Sequence, residues 1–213
     1  MDQSEVSDML QEALAPGVRL HEFMFTWVER LHAARLEEYR ALTDERLLVH
    51  LSFEDSGELY TVALSPGAVE VEGDEMMDFP VISVHAEAEK WETFKPDILE
   101  LSLALESTRE HFKRRAGGRR VTRDILERFE KMAGTMEITV TGTQSGEELT
   151  LVVALNDYVV QRDAPRMTMR MDKELVLRMA RGELDPKEAR ELIEIGGKVR
   201  LGVDLAGFFA QHF

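Results

Sequence analysis

Apolar residues recur along this chain with two distinct periods. From Val18 to Leu42, the residues Leu20, Phe23, Met24, Trp27, Val28, Leu31, Ala34 and Leu42 fall at three- and four-residue steps. Glu22, Glu29, Arg30 and Glu37 occupy other positions on the wheel, and the pattern predicts a long amphipathic helix. The period then drops to two. Leu47, Val49, Leu51 and Phe53 alternate with polar neighbours, as do Val62 and Leu64, then Ala68, Val69 and Val71, and a further short run covers Val81-Ile82-Ser83-Val84. Each of these predicts a strand. The residues before Val18 carry no such signal and are expected to form a flexible N-terminus, 1–17. A second helix is expected from Asp97, with Ile98, Leu101, Leu105 and Phe112 roughly on one face and Thr108 to Arg115 as its extension.

The strand pattern occurs twice. Ser56-Gly57-Glu58-Leu59 returns as Ser145-Gly146-Glu147-Glu148-Leu149, each time between two alternating apolar runs, so each copy reads as a hairpin. In the second copy the runs are Met136, Ile138 and Val140, then Leu151, Val153 and Leu155, then Tyr158-Val159-Val160, then Met167-Thr168-Met169-Arg170-Met171. Four ordered strands at one separation predict two tandem units of similar topology. A helix bearing Ile125, Leu126, Phe129 and Met132 leads the second unit, with Asp124 as the expected N-cap and Gly134 as the expected residue just past its end.

The last segment is strongly punctuated. Asp172 is an expected N-cap for a helix carrying Leu175, Val176 and Met179, which Gly182 closes. Asp185 and Pro186 then start a helix with Ala189, Leu192 and Ile193 on its buried side, because proline at the first helical position forfeits no intrahelical bond. After Gly196-Gly197, the alternation of Val199, Leu201, Val203 and Leu205 with Lys198, Arg200, Gly202 and Asp204 predicts a final strand, followed by an apolar end at Phe208-Phe209.

These residues resemble a known family. The stretch Gly182-Glu183-Leu184-Asp185-Pro186-Lys187-Glu188-Ala189 is similar to the motif between two helices of the sterol carrier protein type-two family, and Gly197-Lys198-Val199-Arg200-Leu201 is similar to the glycine-lysine approach to its last strand. Asp204 stands where that family has Asn or Asp. The segment from Ala189 to Gly197 is about one helical turn longer than usual, and Val203 replaces a common glycine. The first copy lacks the glycine-to-proline motif and has Phe94-Lys95-Pro96-Asp97 nearby. The resemblance implies an α+β fold of two tandem units, each a twisted, mainly antiparallel sheet covered by helices. Residues 18–112 would be a degenerate unit, 113–122 a basic linker and 123–213 the better-preserved unit. It also implies an apolar cavity between sheet and helices that holds an acyl chain, sterol or prenyl lipid. In the second unit the expected lining is Phe129, Met132, Met167, Met169, Met171, Leu175, Met179, Ile193, Val199, Leu201, Phe208 and Phe209. Methionine suits such a wall because its flexible thioether adapts to differing shapes, although the same stripe also serves as ordinary core.

Composition narrows the function. The 213 residues carry 41 acidic and 26 basic groups, a formal charge of −15, which argues against a general nucleic-acid binder. Of these, 24 acidic and 7 basic groups lie in residues 1–108, whereas Lys113, Arg114, Arg115, Arg119 and Arg120 cluster around Gly117-Gly118. That basic cluster either contacts anionic lipid headgroups or is a solvated helix end and linker. The absence of cysteine removes disulfides, thiolate zinc sites and cysteine nucleophiles, and suits a reducing compartment. With an acidic, polar start and no membrane-length apolar run, a soluble cytoplasmic protein is expected. His21, His32, His50, His85, His111 and His212 show no metal-ligand spacing, and His85, Glu87 and Glu89 on one strand face read as solvent-facing. No nucleophile elbow or phosphate loop is present. The expectation is therefore a protein without enzymatic activity or cofactor that binds or transfers an apolar lipid. The alternative is a protein-interaction module in which the same fold is filled with side chains and presents an acidic surface to a protein partner.

Overall fold

Alternating positions pair into one mixed sheet of eight strands in a computed structural model that describes residues 3–37, 40, 45–73, 80–116, 121–156, 166–184 and 186–212. The side chains of residues 3, 109–116, 166, 186–187 and 206–212 lie outside that description. The strands are β1 (Leu47–Phe53), β2 (Glu58–Ser65), β3 (Ala68–Gly73), β4 (Ile82–Ala86), β5 (Gly134–Thr141), β6 (Leu149–Leu155), β7 (Arg166–Asp172) and β8 (Glu194–Gly197). Their spatial order is β3-β2-β1-β4-β6-β5-β7-β8. The fold is α+β.

The two hairpins are built alike. In each, a glycine at positive φ (73° at Gly57, 77° at Gly146) turns the chain. The preceding serine hydroxyl accepts the amide of the following glutamate, at 3.3 Å for Ser56–Glu58 and 3.2 Å for Ser145–Glu147. Beside each hairpin a later strand runs parallel to its first strand, β4 along β1 and β7 along β5. The two halves then join without a break. β4 pairs antiparallel with β6 from Ile82↔Leu155 to His85↔Val152, so one ladder crosses the expected boundary between units. The expected strand at Tyr158–Val160 lies outside the described residues, as do Arg119 and Arg120 and the side chains of Lys113, Arg114 and Arg115.

Several elements depart from the periodic expectation. Residues Gln3–Ala13 form helix α1 rather than a flexible arm, with Val6, Ala13 and the following Leu14 buried. Helix α2 runs from Leu20–Glu22 through a π-helical Phe23–Trp27 to Val28–Ala34, where Arg35 leaves the helical conformation; Leu36, Glu37 and Arg40 are helical again, and Leu42 lies outside the described residues. Helix α3 (Trp91–Ala116) starts six residues before Asp97 and continues through Lys113, Arg114 and Arg115, so the first part of the expected linker is helical. Its early start has a non-local cause: Asp55 accepts the amides of Ala88 and Glu89 at 2.7 and 2.8 Å, capping the 3-10 turn Ala88–Lys90 that feeds α3.

Helix α4 (Arg123–Phe129) takes Thr122 rather than Asp124 as its N-cap residue, and Gly134 opens β5 instead of closing the helix. The carbonyls of Phe129 and Met132 are satisfied by Asn156 Nδ2, 2.7 Å from each, so no left-handed glycine is needed there. Gly134 serves packing, since a Cβ on it would lie 2.8 Å from Leu201.

Helix α5 (Lys173–Ala180) follows its expected punctuation. Asp172 Oδ1 accepts the Glu174 amide at 2.9 Å, and beyond Gly182 (φ 69°) the Glu183 amide returns to the Arg178 carbonyl at 2.9 Å. Helix α6 (Pro186–Leu192) begins on its proline, while its expected cap Asp185 lies outside the described residues. The expected last strand is a helix, α7 (Val199–His212), and the strand precedes it as β8. Burial explains the reversal. Leu201 packs against the core and Leu205 is buried four residues later, whereas Val199 and Val203 are 40% and 53% exposed, which is the helical spacing.

Candidate functional site

The register puts Leu51, Phe53, Val84, Leu149, Leu151, Met136, Ile138, Met169 and Met171 on one sheet face. Helices cover that face in several packed regions: α4 and α7 meet Ile82, Met136, Val153 and Leu155 at one end of the strands, and two further regions flank the centre. On one side Leu20 and Met24 of α2 meet Phe53, Tyr60, Val62 and Val69. On the other, Leu175, Leu184 and Ala189 close over Met171, with Ile138, Met169, Met179 and Ile193 around them.

Between these regions the sheet and α3 border a partly open cavity of about 1140 Å³. Its floor is Leu51 and Phe53 of β1, Val84 and Ala86 of β4, and Leu149 and Leu151 of β6. Trp91, Phe94 and Ile98 of α3 form the roof, and Leu20, Phe23 and Met24 of α2 form a side wall. The π-helical turn lies in that wall: the Val28 amide bonds to the Phe23 carbonyl five residues back, a register shift common at functional sites. Trp91 and Phe23 stack at 5.0 Å between ring centres. The roof is anchored from behind by buried Lys95, whose Nζ donates to the carbonyls of Ala15 and Val18 at 2.9 and 2.8 Å, while Trp91 Nε1 donates to Val18 at 3.0 Å.

The rim is acidic. Glu54 and Asp55 come from the β1–β2 turn, Glu87 and Lys90 from the β4–α3 junction, and Glu147 and Glu148 from the end of the second hairpin. Amide donors from Glu89 and then Ala88 hold the Asp55 carboxyl below its ordinary range. Lys90 bonds to Glu147 and Arg170 forks onto Glu148, and these bonds raise both cations' pKa and lower that of Glu148.

The opposite face carries a second, smaller pocket of about 140 Å³ beside the first hairpin. His50 faces Ser83 in the β1–β4 ladder, and His85 stands two residues along β4 on the same face. His85 is thus not the solvent-facing residue expected, and His50 is 1% exposed. Neither imidazole, nor the Ser83 hydroxyl, makes a hydrogen bond within the protein. Burial lowers both imidazole pKa values, and His85 adds to the effect on His50 while Glu54, 3.8 Å from His85 Nδ1, opposes it there. No group of three or more metal-ligating side chains occurs among the described residues.

The lipid-lining residues expected in the second unit lie elsewhere. Met169, Met171, Leu175, Met179 and Ile193 pack together beneath α5 and α6. Phe129, Met132 and Leu201 form another cluster, Met167 is buried against Gly202, and Val199 faces outward. None of these ten lines the large cavity, and the Phe208 and Phe209 side chains lie outside the described residues. The cavity residues themselves were visible in the sequence only as members of separate strands and amphipathic helices. What places them together is the β4–β6 ladder, a contact between strands some seventy residues apart that no local period encodes. Among the described residues no helix is long and apolar enough to cross a membrane. No protein-family model, curated protein or solved structure matches the chain.

Proposed function

We propose that this protein binds or transfers an apolar lipid without covalent chemistry, in the cavity beneath α3. The observation that carries this reading is the cavity's size together with its walls. Its volume of about 1140 Å³ lies just above the roughly 300–1,000 Å³ usual for small-molecule sites. Its lining is mainly aliphatic and aromatic, with His85 and Thr150 as polar members of the sheet side, and its carboxylates and Lys90 lie at one rim. A chain entering it would leave water, which contributes about 0.8 kcal/mol per methylene. The proposal extends to architecture: the chain is two tandem sterol-carrier-like units whose sheets have fused edge to edge. The paired Ser-Gly-Glu turns and the two parallel ladders support that reading.

Native mass spectrometry of gently purified protein, beside organic extraction of the same sample, tests the binding. A near-stoichiometric apolar ligand is expected. Affinity for a homologous series of alkyl ligands should rise about three- to fourfold per added methylene until the cavity is filled. Replacing Ile98 with tryptophan, which builds bulk into the roof, should abolish uptake while leaving the fold intact. Protein that is free of lipid and takes up no fatty acid, alcohol, amine, sterol or quinone would sink the reading.

A further inference from the structure

Resting on that reading, we propose that the cavity selects an amphiphile with a cationic head, a long-chain amine or quaternary ammonium, over one with a carboxylate. The polar end of any bound chain must sit where the cavity meets water, because burying a charge among Leu51, Leu151 and Phe94 would leave it without solvation. That mouth is bounded by Asp55, Glu87 and Glu147 against one lysine, with Glu54 and Glu148 beside it at the sheet edge, where they meet His85 and Arg170 of the opposite face. The cations present are already engaged. Lys90 is bonded to Glu147, and Arg170, outside the lining, is bonded twice to Glu148. An incoming carboxylate therefore meets an excess of like charge and would have to displace an existing ion pair to find a partner. An ammonium meets complementary charge at Asp55 and Glu87. Asp55 holds its place in the rim by capping Ala88 and Glu89, so part of this negative charge is fixed by the same contact that starts the roof helix.

The test compares dodecyltrimethylammonium, dodecanol and dodecanoate, which share one chain and differ in head charge. Binding to the full-length protein is read through the fluorescence of Trp91 in the cavity wall. The ammonium is expected to bind at least tenfold more tightly than the carboxylate at low ionic strength, with the alcohol between them. That ratio should shrink severalfold in 0.5 M salt, which screens exposed charge. Glu87→Gln should narrow it as well, and the salt series settles the matter if that variant folds poorly. Equal binding of all three, or tighter dodecanoate, would overturn the charge selection and leave the cavity reading standing. Binding by none of them would overturn both. A preference that ignores salt would overturn the electrostatic account.

Discussion

At the scale of single residues, the least expected feature is His50, a buried imidazole whose ring nitrogens bond to nothing within the protein. Ser83 and Thr61 opposite it in the two flanking strands, Ser52 along its own strand, His85 along the next, and Glu54 and Glu58 around the pocket are polar groups that face it. Burial lowers the pKa of both histidines, so the unfolded chain takes up protons that the folded one refuses. Their contribution is fully present above an unfolded value of about 6.5 and is lost as the pH falls below it. Urea denaturation from pH 8 to pH 5 should therefore show stability declining with acid. His50→Leu should flatten that decline and raise stability at pH 7 by about 1–2 kcal/mol, since an unsatisfied buried polar group is exchanged for an apolar one. An unchanged acid limb in His50→Leu would assign the decline to other groups. Neither histidine was legible in the sequence as a pair, because a lone polar residue in an alternating strand reads as outward-facing. The Ser-Gly-Glu turns, by contrast, were legible because serine, glycine and glutamate each have a local backbone role there.

At the scale of elements, the informative case is α7. A strict period of two over Val199, Leu201, Val203 and Leu205 also contains an i, i+4 pair, and tertiary packing selected the pair. Glycine decides the outcome: Gly134 and Gly202 let the helix approach β5 and β7, where a Cβ would come within 2.8 Å of Leu201 and 2.7 Å of Met167 Sδ. In a strand, Leu201 and Val203 would face opposite environments from their even-numbered neighbours but share one with each other. In the helix they differ, which gives a direct check. Val203→Lys should stay within about 0.5 kcal/mol of the parent in thermal unfolding, whereas Leu201→Lys should cost about 2–4 kcal/mol. Similar large losses in both would mean that the segment is a strand after all. Asn156 is the element-scale residue that punctuation rules missed. Just past β6, it reaches across to hold the carbonyl of Phe129 at the end of α4 and that of Met132 in the turn after it, while its own backbone sits at φ 50°. Asn156→Ala removes both bonds and keeps an unfavourable φ, so a loss of about 2 kcal/mol is expected by chemical denaturation.

At the scale of the whole molecule, the question is whether two hairpin-led halves behave as two domains or one. The two hairpins and their turns were readable along the chain, whereas the last strand was misplaced and the division at residues 113–122 was drawn from charge and glycine alone. Three sets of contacts cross it. The β4–β6 ladder makes the sheet continuous, and α3 packs against α1 on one side and α5 on the other. Lys173 of α5 donates to Asp97 and Glu100 of α3 at 2.8 and 2.9 Å, a bond to buried Asp97 that raises the lysine pKa, and Asp97 also accepts the Gln144 amide at 3.0 Å. The cavity floor itself takes strands from both halves, so separating them would dismantle the site. Cooperative unfolding follows from this shared core. Both tryptophans, Trp27 and Trp91, lie in the first half, so their fluorescence reports that half while far-ultraviolet circular dichroism reports every helix and strand. The two probes should give one coincident transition in urea. Asp97→Ala, which removes one of the two carboxylates that hold Lys173 and the acceptor of the Gln144 amide, should lower that shared midpoint for both signals together. A fluorescence midpoint displaced from the dichroism midpoint in the parent protein would show that the halves fold independently, and the cavity between them would then be an interface between domains.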